Sequence, residues 1–269
     1  MIKKITVNIE KCIHCGLCLK DCIVNALEFD SNKNPQYGQN GENSCVACQH
    51  CMAVCPTGAL SFGDKNPDDS IEVGYANSEE LLQLIKSRRT IRHNKNESVP
   101  KEKLEKIANM LLYPPTGGNR DNLHFSIVET KEKMEEIRKI TYEKIASANP
   151  SNPMFEMAKS AWQNGNDIVY RGATSLIAVA IDKSKTIIGC ETADPIIALS
   201  FADLYAQSLG LGTVWCDMAL TFAKMIPDIY SLLEIPDNYK LDYILLVGVP
   251  AIKYKRTTQP DRFSIKFLK

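Results

Sequence analysis

Four cysteines stand at Cys12, Cys15, Cys18 and Cys22, and four more at Cys45, Cys48, Cys51 and Cys55, each run spaced C-x2-C-x2-C-x3-C. The second run is the first displaced by 33 residues (Cys12 to Cys45), and the same step carries Ala26 onto Ala59, Leu27 onto Leu60 and Phe29 onto Phe62. Neither a disulfide framework nor a zinc site requires this spacing. A cubane iron–sulfur cluster does, because three closely spaced thiolates wrap three corners and the fourth arrives from further along. The duplication predicts a pseudo-two-fold unit in which clusters replace much of the hydrophobic core, a staple that so small a unit commonly needs. Residues 5–9 alternate as a short strand, and 26–29 and 59–62 are matching strand ends. One helical turn should accompany each cysteine loop. Residues 32–43, rich in Asn, Gln and Gly, read as the loop joining the halves.

Residues 1–63 resemble the bacterial-type two-[4Fe–4S] ferredoxins, in which the fourth cysteine of each run belongs to the other cluster. The resemblance implies that Cys12, Cys15, Cys18 and Cys55 hold one cluster and that Cys22, Cys45, Cys48 and Cys51 hold the other. One departure is that Ile23 follows Cys22, whereas Pro56 follows Cys55; no ligand is lost by it. His14 and His50, inside the loops, read as exposed fillers.

The remaining 200-odd residues need a second domain, and a chain of 269 residues accommodates two. Lys+Arg and Asp+Glu both number 32, so charge supplies no argument for nucleic acid, a membrane or an acidic partner. The N-terminus lacks the apolar core of a secretory signal, and no run of apolar residues is long enough to span a membrane. Eight of ten cysteines lie in the two runs, leaving Cys190 and Cys216 single. Thiols devoted to clusters rather than disulfides point to a reducing cytoplasm.

Residues 64–77, rich in Gly, Pro and Asp, read as a linker, and 78–269 as an α+β domain. Helices are expected from Ser78, as cap, to about Arg88 with Leu81, Leu84 and Ile85 inward, over 101–112, over 131–148 and over 154–166. A further helix should start with Asp194 as cap and Pro195 at its first position and stop at Gly210, and another should cover 219–233. Strands are expected at 124–128, 175–181, 243–249 and 263–268. No Gly-x-Gly-x-x-Gly follows a strand, which argues against a Rossmann unit.

Within this domain Arg88-Arg89-Thr90-Ile91-Arg92 is either a solvated helix end or a phosphate site, since guanidinium forks with a hydroxyl suit a phosphomonoester. Pro115-Thr116-Gly117-Gly118-Asn119 is a turn whose glycines admit close backbone approach. Gly210-Leu211-Gly212-Thr213-Val214-Trp215 reads as a helix stop leading into a strand. In this order, with the basic cluster Lys253, Lys255 and Arg256, these segments resemble the nitroreductase family of flavoproteins over about residues 78–269. That resemblance implies FMN at a homodimer interface, with the terminal strand reaching to the partner. Arg88, Arg89, Thr90 and Arg92 would serve the phosphate. Thr116, Gly117 and Asn119 would line the flavin ring, with Gly212, Trp215 and Cys216 in the segment packed against it. Arg256 and Lys255 would close on the phosphate from the other subunit. Asp121-Asn122-Leu123 departs from the family's usual Gln-Pro-Trp and leaves the pyrimidine-side contacts unassigned.

The expected function is an FMN-dependent oxidoreductase. Its two [4Fe–4S] clusters relay single electrons to or from FMN for two-electron reduction of a small organic acceptor: a nitroaromatic, a quinone or an activated alkene. No nucleophile–base pair stands out, which suits cofactor chemistry. A redox protein is the expected donor. The alternatives are an electron carrier or redox sensor serving a protein partner, and an NAD(P)H-fed flavin reductase with the clusters as outlet. The helix at 154–166, with Met154, Phe155, Met157 and Trp162, is the expected wall of the substrate pocket.

Overall fold

The computed structural model describes residues 4–147, 153–261 and 263–268. Two compact units divide the chain; one runs to Tyr75 and includes Gly118–Arg120, and the other holds the rest.

The first unit contains β1 (Ile5–Val7), α1 (Leu17–Lys20), β2 (Leu27–Phe29), β3 (Pro35–Tyr37), α2 (Gly41–Ser44), α3 (His50–Ala53) and β4 (Leu60–Phe62). β1 pairs antiparallel with β4, and β2 with β3. The 33-residue step of the sequence is also a step of the backbone. It carries α1 onto α3 and β2 onto β4, and it maps the left-handed residues His14, Gly16 and Asn25 onto Ala47, Gln49 and Gly58. Among the described residues, Cys18, Leu27, Ala47, Met52, Leu60 and Phe62 form the buried apolar cluster of this unit, with Ala26 and Ala59 also buried.

The joining loop expected at 32–43 holds β3 and α2 instead. Asp30 Oδ1 accepts from the Asn32 and Asn34 amides at 2.8 and 2.7 Å, folding the chain back at Lys33 so that Pro35 returns opposite Phe29. Proline is tolerated there as the first strand residue. The first part of the expected linker also belongs to this unit. Asn66 caps a 3-10 turn over Pro67–Asp69, and Lys11 pairs with Asp68 at 3.2 Å.

The second unit contains α4 (Ser78–Ser87), α5 (Lys101–Met110), β5 (Leu123–Val128), α6 (Lys131–Ser147), α7 (Pro153–Gln163) and β6 (Ser175–Ile181). After these come α8 (Ala193–Ser208), β7 (Gly212–Trp215), α9 (Asp217–Met225), α10 (Pro227–Leu232) and β8 (Lys240–Gly248). The four strands form one antiparallel sheet in the order β5-β6-β8-β7. All seven residues of β6 are buried, and their alternation serves two cores. Leu176 and Ala178 pack with residues of α6, α7, α9 and α10, whereas Ile177 and Val179 pack with residues of α5 and α8. Helices on both faces of an antiparallel sheet make this an α+β domain.

Several local expectations are corrected. Asn77, not Ser78, caps α4, its Oδ1 accepting from the amides of Glu79 and Glu80. Leu81 and Ile85, expected inward, are 46% and 48% exposed. Helix 219–233 is two helices, because Pro227 cannot continue α9 and opens α10 at its first position. Residues 263–268 form no strand and are exposed. The expected break between α6 and α7 falls at 148–152, outside the described residues.

Candidate functional site

In the first unit the eight thiols are free and stand around two cavities. One is lined by Cys12, Cys15, Cys18 and Cys55. The other is lined by Cys22, Cys45, Cys48 and Cys51. Each cavity therefore takes three thiols from one run and the last thiol of the other. The two crossing thiols are held alike, since Ala26 N–H donates to Cys22 Sγ and Ala59 N–H donates to Cys55 Sγ, both at 3.2 Å. The thiols rim the cavities and do not converge on a point: among the described residues no three metal-ligating side chains group closely enough for a single ion. A tetrahedral zinc would draw its sulfurs to about 3.8 Å from one another. The donor set and its spread suit a polynuclear cluster.

Burial pushes the Cys18 thiol up and the Cys51 thiol to about 11. At Cys55 burial also acts upward, but the amides of Ala59 and Thr57, the Thr57 hydroxyl and the Leu60 amide outweigh it and bring that thiol below its usual value. Iron binds the thiolate, so metal binding and folding of such a unit are coupled.

In the second unit the Arg88–Ile91 segment leaves the end of α4 and lies along β7. Thr90 bridges Thr213 in parallel, and Ile91 N–H donates to Thr213 O at 3.0 Å. The approach requires glycine at 212, where a Cβ would fall 2.7 Å from the Ile91 side chain. Two motifs far apart in sequence thus share one place. Arg88 is half-buried beside Asp203, with 3.7 Å between Nη1 and Oδ2. The Arg89 guanidinium is folded back, its Nη1 donating to the carbonyls of Lys86 and Arg88, which the end of α4 leaves unpaired. Its Nη2 is buried without a hydrogen-bond partner. An orphaned guanidinium nitrogen is costly and suits an anion. Arg92, Lys255 and Arg256 are exposed.

The turn at Gly117–Asn119 is a 3-10 turn with Gly118 and Asn119 left-handed. Its anchor is Asp194, expected as the cap of α8. Thr192 holds that position instead, and the Asp194 carboxylate accepts from Gly117 N–H at 3.0 Å and from Asn122 Nδ2 at 2.9 Å. Trp215 is half-buried, and its indole N–H donates to Asp203 Oδ2 at 3.0 Å. Cys216, next in the chain, is buried. It donates to Val169 O at 3.1 Å and accepts from Ala219 N–H as the cap of α9, in a core where burial raises its pKa. In α7, Phe155 packs on Phe222 and Trp162 stacks on Tyr142 with centroids 4.1 Å apart. Met157 of this group is exposed.

Asp203 and Gln207 escaped the sequence reading. The available signal was a polar pair at i and i+4 on the otherwise apolar stretch of α8.

Two family models match the chain: a 4Fe-4S dicluster domain over residues 11–59 and the nitroreductase family over residues 85–249. The chain belongs to the nitroreductase family and carries a 4Fe-4S dicluster ferredoxin domain ahead of the family's own domain. A putative NADH dehydrogenase/NAD(P)H nitroreductase of Methanothermobacter thermautotrophicus is 28% identical over 179 residues, 66% of this chain and 81% of the relative. An uncharacterized ferredoxin of Methanocaldococcus jannaschii is 35% identical over 60 residues, 22% of this chain and 78% of the relative. Among solved structures, a Desulfitobacterium hafniense nitroreductase with bound FMN superimposes with a TM-score of 0.57 at 25% identity, covering 72% of this chain and all of that one. The protein is an oxidoreductase of the nitroreductase type. Among the described residues no helix is long and apolar enough to cross a membrane.

Proposed function

We propose that the chain binds FMN in its second unit and two [4Fe–4S] clusters in its first, relaying single electrons between clusters and flavin for two-electron reduction of an organic acceptor. Nitroaromatics, quinones and activated alkenes are the acceptor classes. The carrying observation is the pairing of Thr90 with Thr213, which brings the Arg-Arg-Thr segment onto the Gly-Thr-Val-Trp strand and leaves Arg89 Nη2 buried without a partner. Arg88, Arg89 and Thr90 hold the phosphate, with Arg92 at the rim. Thr116, Gly117 and Asn119, on the turn anchored by Asp194, face the ring together with Gly212 and Trp215. When bound, FMN supplies a centre that exchanges electrons singly with clusters and in pairs with organic substrates.

The cluster ligands are Cys12, Cys15, Cys18 and Cys55 for one cluster and Cys22, Cys45, Cys48 and Cys51 for the other. A homodimer fits the uncovered apolar residues of α4 and the exposed Phe263, Ile265, Phe267 and Leu268. Lys255 and Arg256 then act on the partner's flavin. Thiols kept for iron suit a reducing cytoplasm.

The test is a cofactor inventory on anaerobically purified protein, with about eight irons and one FMN per chain expected. Arg88→Ala combined with Arg89→Ala should release flavin and keep the iron; flavin retained by that variant refutes the phosphate site. One observation favours a second reading of the donor, since a relative spanning two thirds of the chain is described as an NAD(P)H nitroreductase. Anaerobic stopped-flow separates the two. Flavin bleaching by NAD(P)H but not through reduced clusters makes the clusters an outlet.

A further inference from the structure

The Arg88–Thr90 segment belongs to no strand, yet both polar groups of the Arg89 backbone are engaged. Gln207, near the end of α8, accepts the Arg89 N–H through Oε1 at 3.1 Å and faces the Arg89 carbonyl through Nε2 at 3.3 Å. A side-chain amide thus serves Arg89 as a neighbouring strand would. The same Nε2 lies 3.0 Å from Asp203 Oδ1 and 3.1 Å from Thr213 Oγ1. Asp203, one helical turn earlier and 4% exposed, completes the set. Its Oδ1 also accepts the Thr213 hydroxyl, and its Oδ2 accepts the Trp215 indole and faces Arg88. Two side chains on one face of a helix therefore touch Arg88, Arg89, Thr213 and Trp215.

A carboxylate this buried costs free energy unless its lone pairs are used, and here all its neighbours are donors. The helix packs on the sheet through Ala198, Leu199, Ala202 and Ala206, and the carboxylate lies outside that apolar contact. The carboxylate and the amide instead fix a short irregular segment that carries two guanidinium groups.

We propose that Asp203 and Gln207 are positioning residues for anion recognition: they hold Arg88–Thr90 against β7 so that the segment is ordered before the FMN phosphate arrives. This rests on the assignment of that phosphate to Arg88–Thr90. Ordering the segment in advance removes an entropy cost from binding, and it acts only on ligands that use the segment. Riboflavin, which lacks the phosphate, is the built-in control.

The experiment titrates flavin-free full-length protein, its iron retained, with FMN and with riboflavin, following flavin fluorescence. Gln207→Met keeps the length of the side chain and removes its polar atoms. It should weaken FMN by roughly ten- to a hundredfold, the equivalent of ordering one or two residues, and change riboflavin affinity by less than about threefold. Gln207→Ala should repeat the pattern, and thermal midpoints of both variants report folding. Equal loss for both flavins makes Gln207 a structural residue and overturns the inference, as does unchanged FMN affinity. Arg88→Ala separates the two levels. If it leaves the preference for FMN over riboflavin intact, the phosphate assignment falls and the inference with it. If it erases that preference while Gln207→Met preserves it, the positioning role alone falls.

Discussion

Replacing Cys22 by alanine should empty the cavity that belongs to the other cysteine run. Cys22 follows Cys12, Cys15 and Cys18 in the chain, but it lines the cavity of Cys45, Cys48 and Cys51. Cys55 stands in the reciprocal position. Each cavity takes four thiols, so Cys22→Ala should reduce iron from about eight to about four per chain. Pairs of variants decide which four remain. Cys22→Ala with Cys48→Ala should lose no more iron than the more severe single variant, because both thiols serve one cluster. Cys22→Ala with Cys15→Ala should lose nearly all of it. A three-iron remnant would leave about seven irons in the single variant and about six in the Cys22–Cys15 pair, so the pairs are compared once EPR of the oxidised protein shows that no three-iron cluster is present. Colorimetric iron determination and low-temperature EPR of the reduced protein read the outcome. If the Cys22–Cys15 pair keeps about four irons and the Cys22–Cys48 pair keeps almost none, each run holds its own cluster and the crossed assignment is wrong.

Other perturbations test the scaffold of the second unit. Asp167 accepts from Arg138 Nε at 2.9 Å, from the Tyr142 hydroxyl at 2.8 Å and from the amides of Tyr170 and Gly172; Asp167→Ala leaves these four donors without their acceptor, while Glu135 and the Ala173 carbonyl keep the other guanidinium nitrogens, and should cost about 3–5 kcal/mol in denaturant unfolding. A loss below about 1 kcal/mol would mean that water or Glu135 replaces the carboxylate. Gly212→Ala drives a Cβ to 2.7 Å from Ile91 and should destabilise by about 1–3 kcal/mol while weakening FMN. Wild-type stability and flavin content in that variant would contradict the close approach. The Asp182 carboxyl is held below its usual value by the Ser184 hydroxyl and amide, Asn238 and Lys185. Its stabilising share is therefore full above the ordinary aspartate range and lost as pH falls through the lower folded-state value. Asp182→Asn should flatten the acid limb of thermal midpoint against pH below about pH 4, and an unchanged limb would remove Asp182 from the account.

The cysteine unit was legible because its determinants are local and repeated. A thiol spacing carries over directly to the cavities, and the step that maps Ala26 onto Ala59 also maps the Cys22 and Cys55 hydrogen bonds. The loop at 32–43 was not legible, because β3 depends on one side chain, Asp30, turning the chain at Lys33. In the second unit, periodicity located most helices and strands and misjudged elements whose fate depends on partners. Leu81 and Ile85 make a helical stripe, and residues 263–268 alternate as a strand would, but both are left uncovered within one chain. Pattern fixes which face is apolar, not what covers it.

The polar residues were harder to read, for a different reason. Asp194 before Pro195 satisfies the local rule for a helix cap, yet the Gly117 amide and Asn122 claim its carboxylate, and that competition exists only once the turn has packed on α8. Asp203 and Gln207 obey no local rule at all. Their partners lie on Arg88, Arg89, Thr213 and Trp215, so their worth appears only when α4, α8 and β7 meet. An apolar helix admits a buried carboxylate and an amide one turn apart only if something nearby supplies donors in the right places. In this chain the donors are the segments the family resemblance assigns to the flavin. The motifs carry the groups that touch a cofactor, and the residues between them, which no motif records, determine whether those groups are held ready.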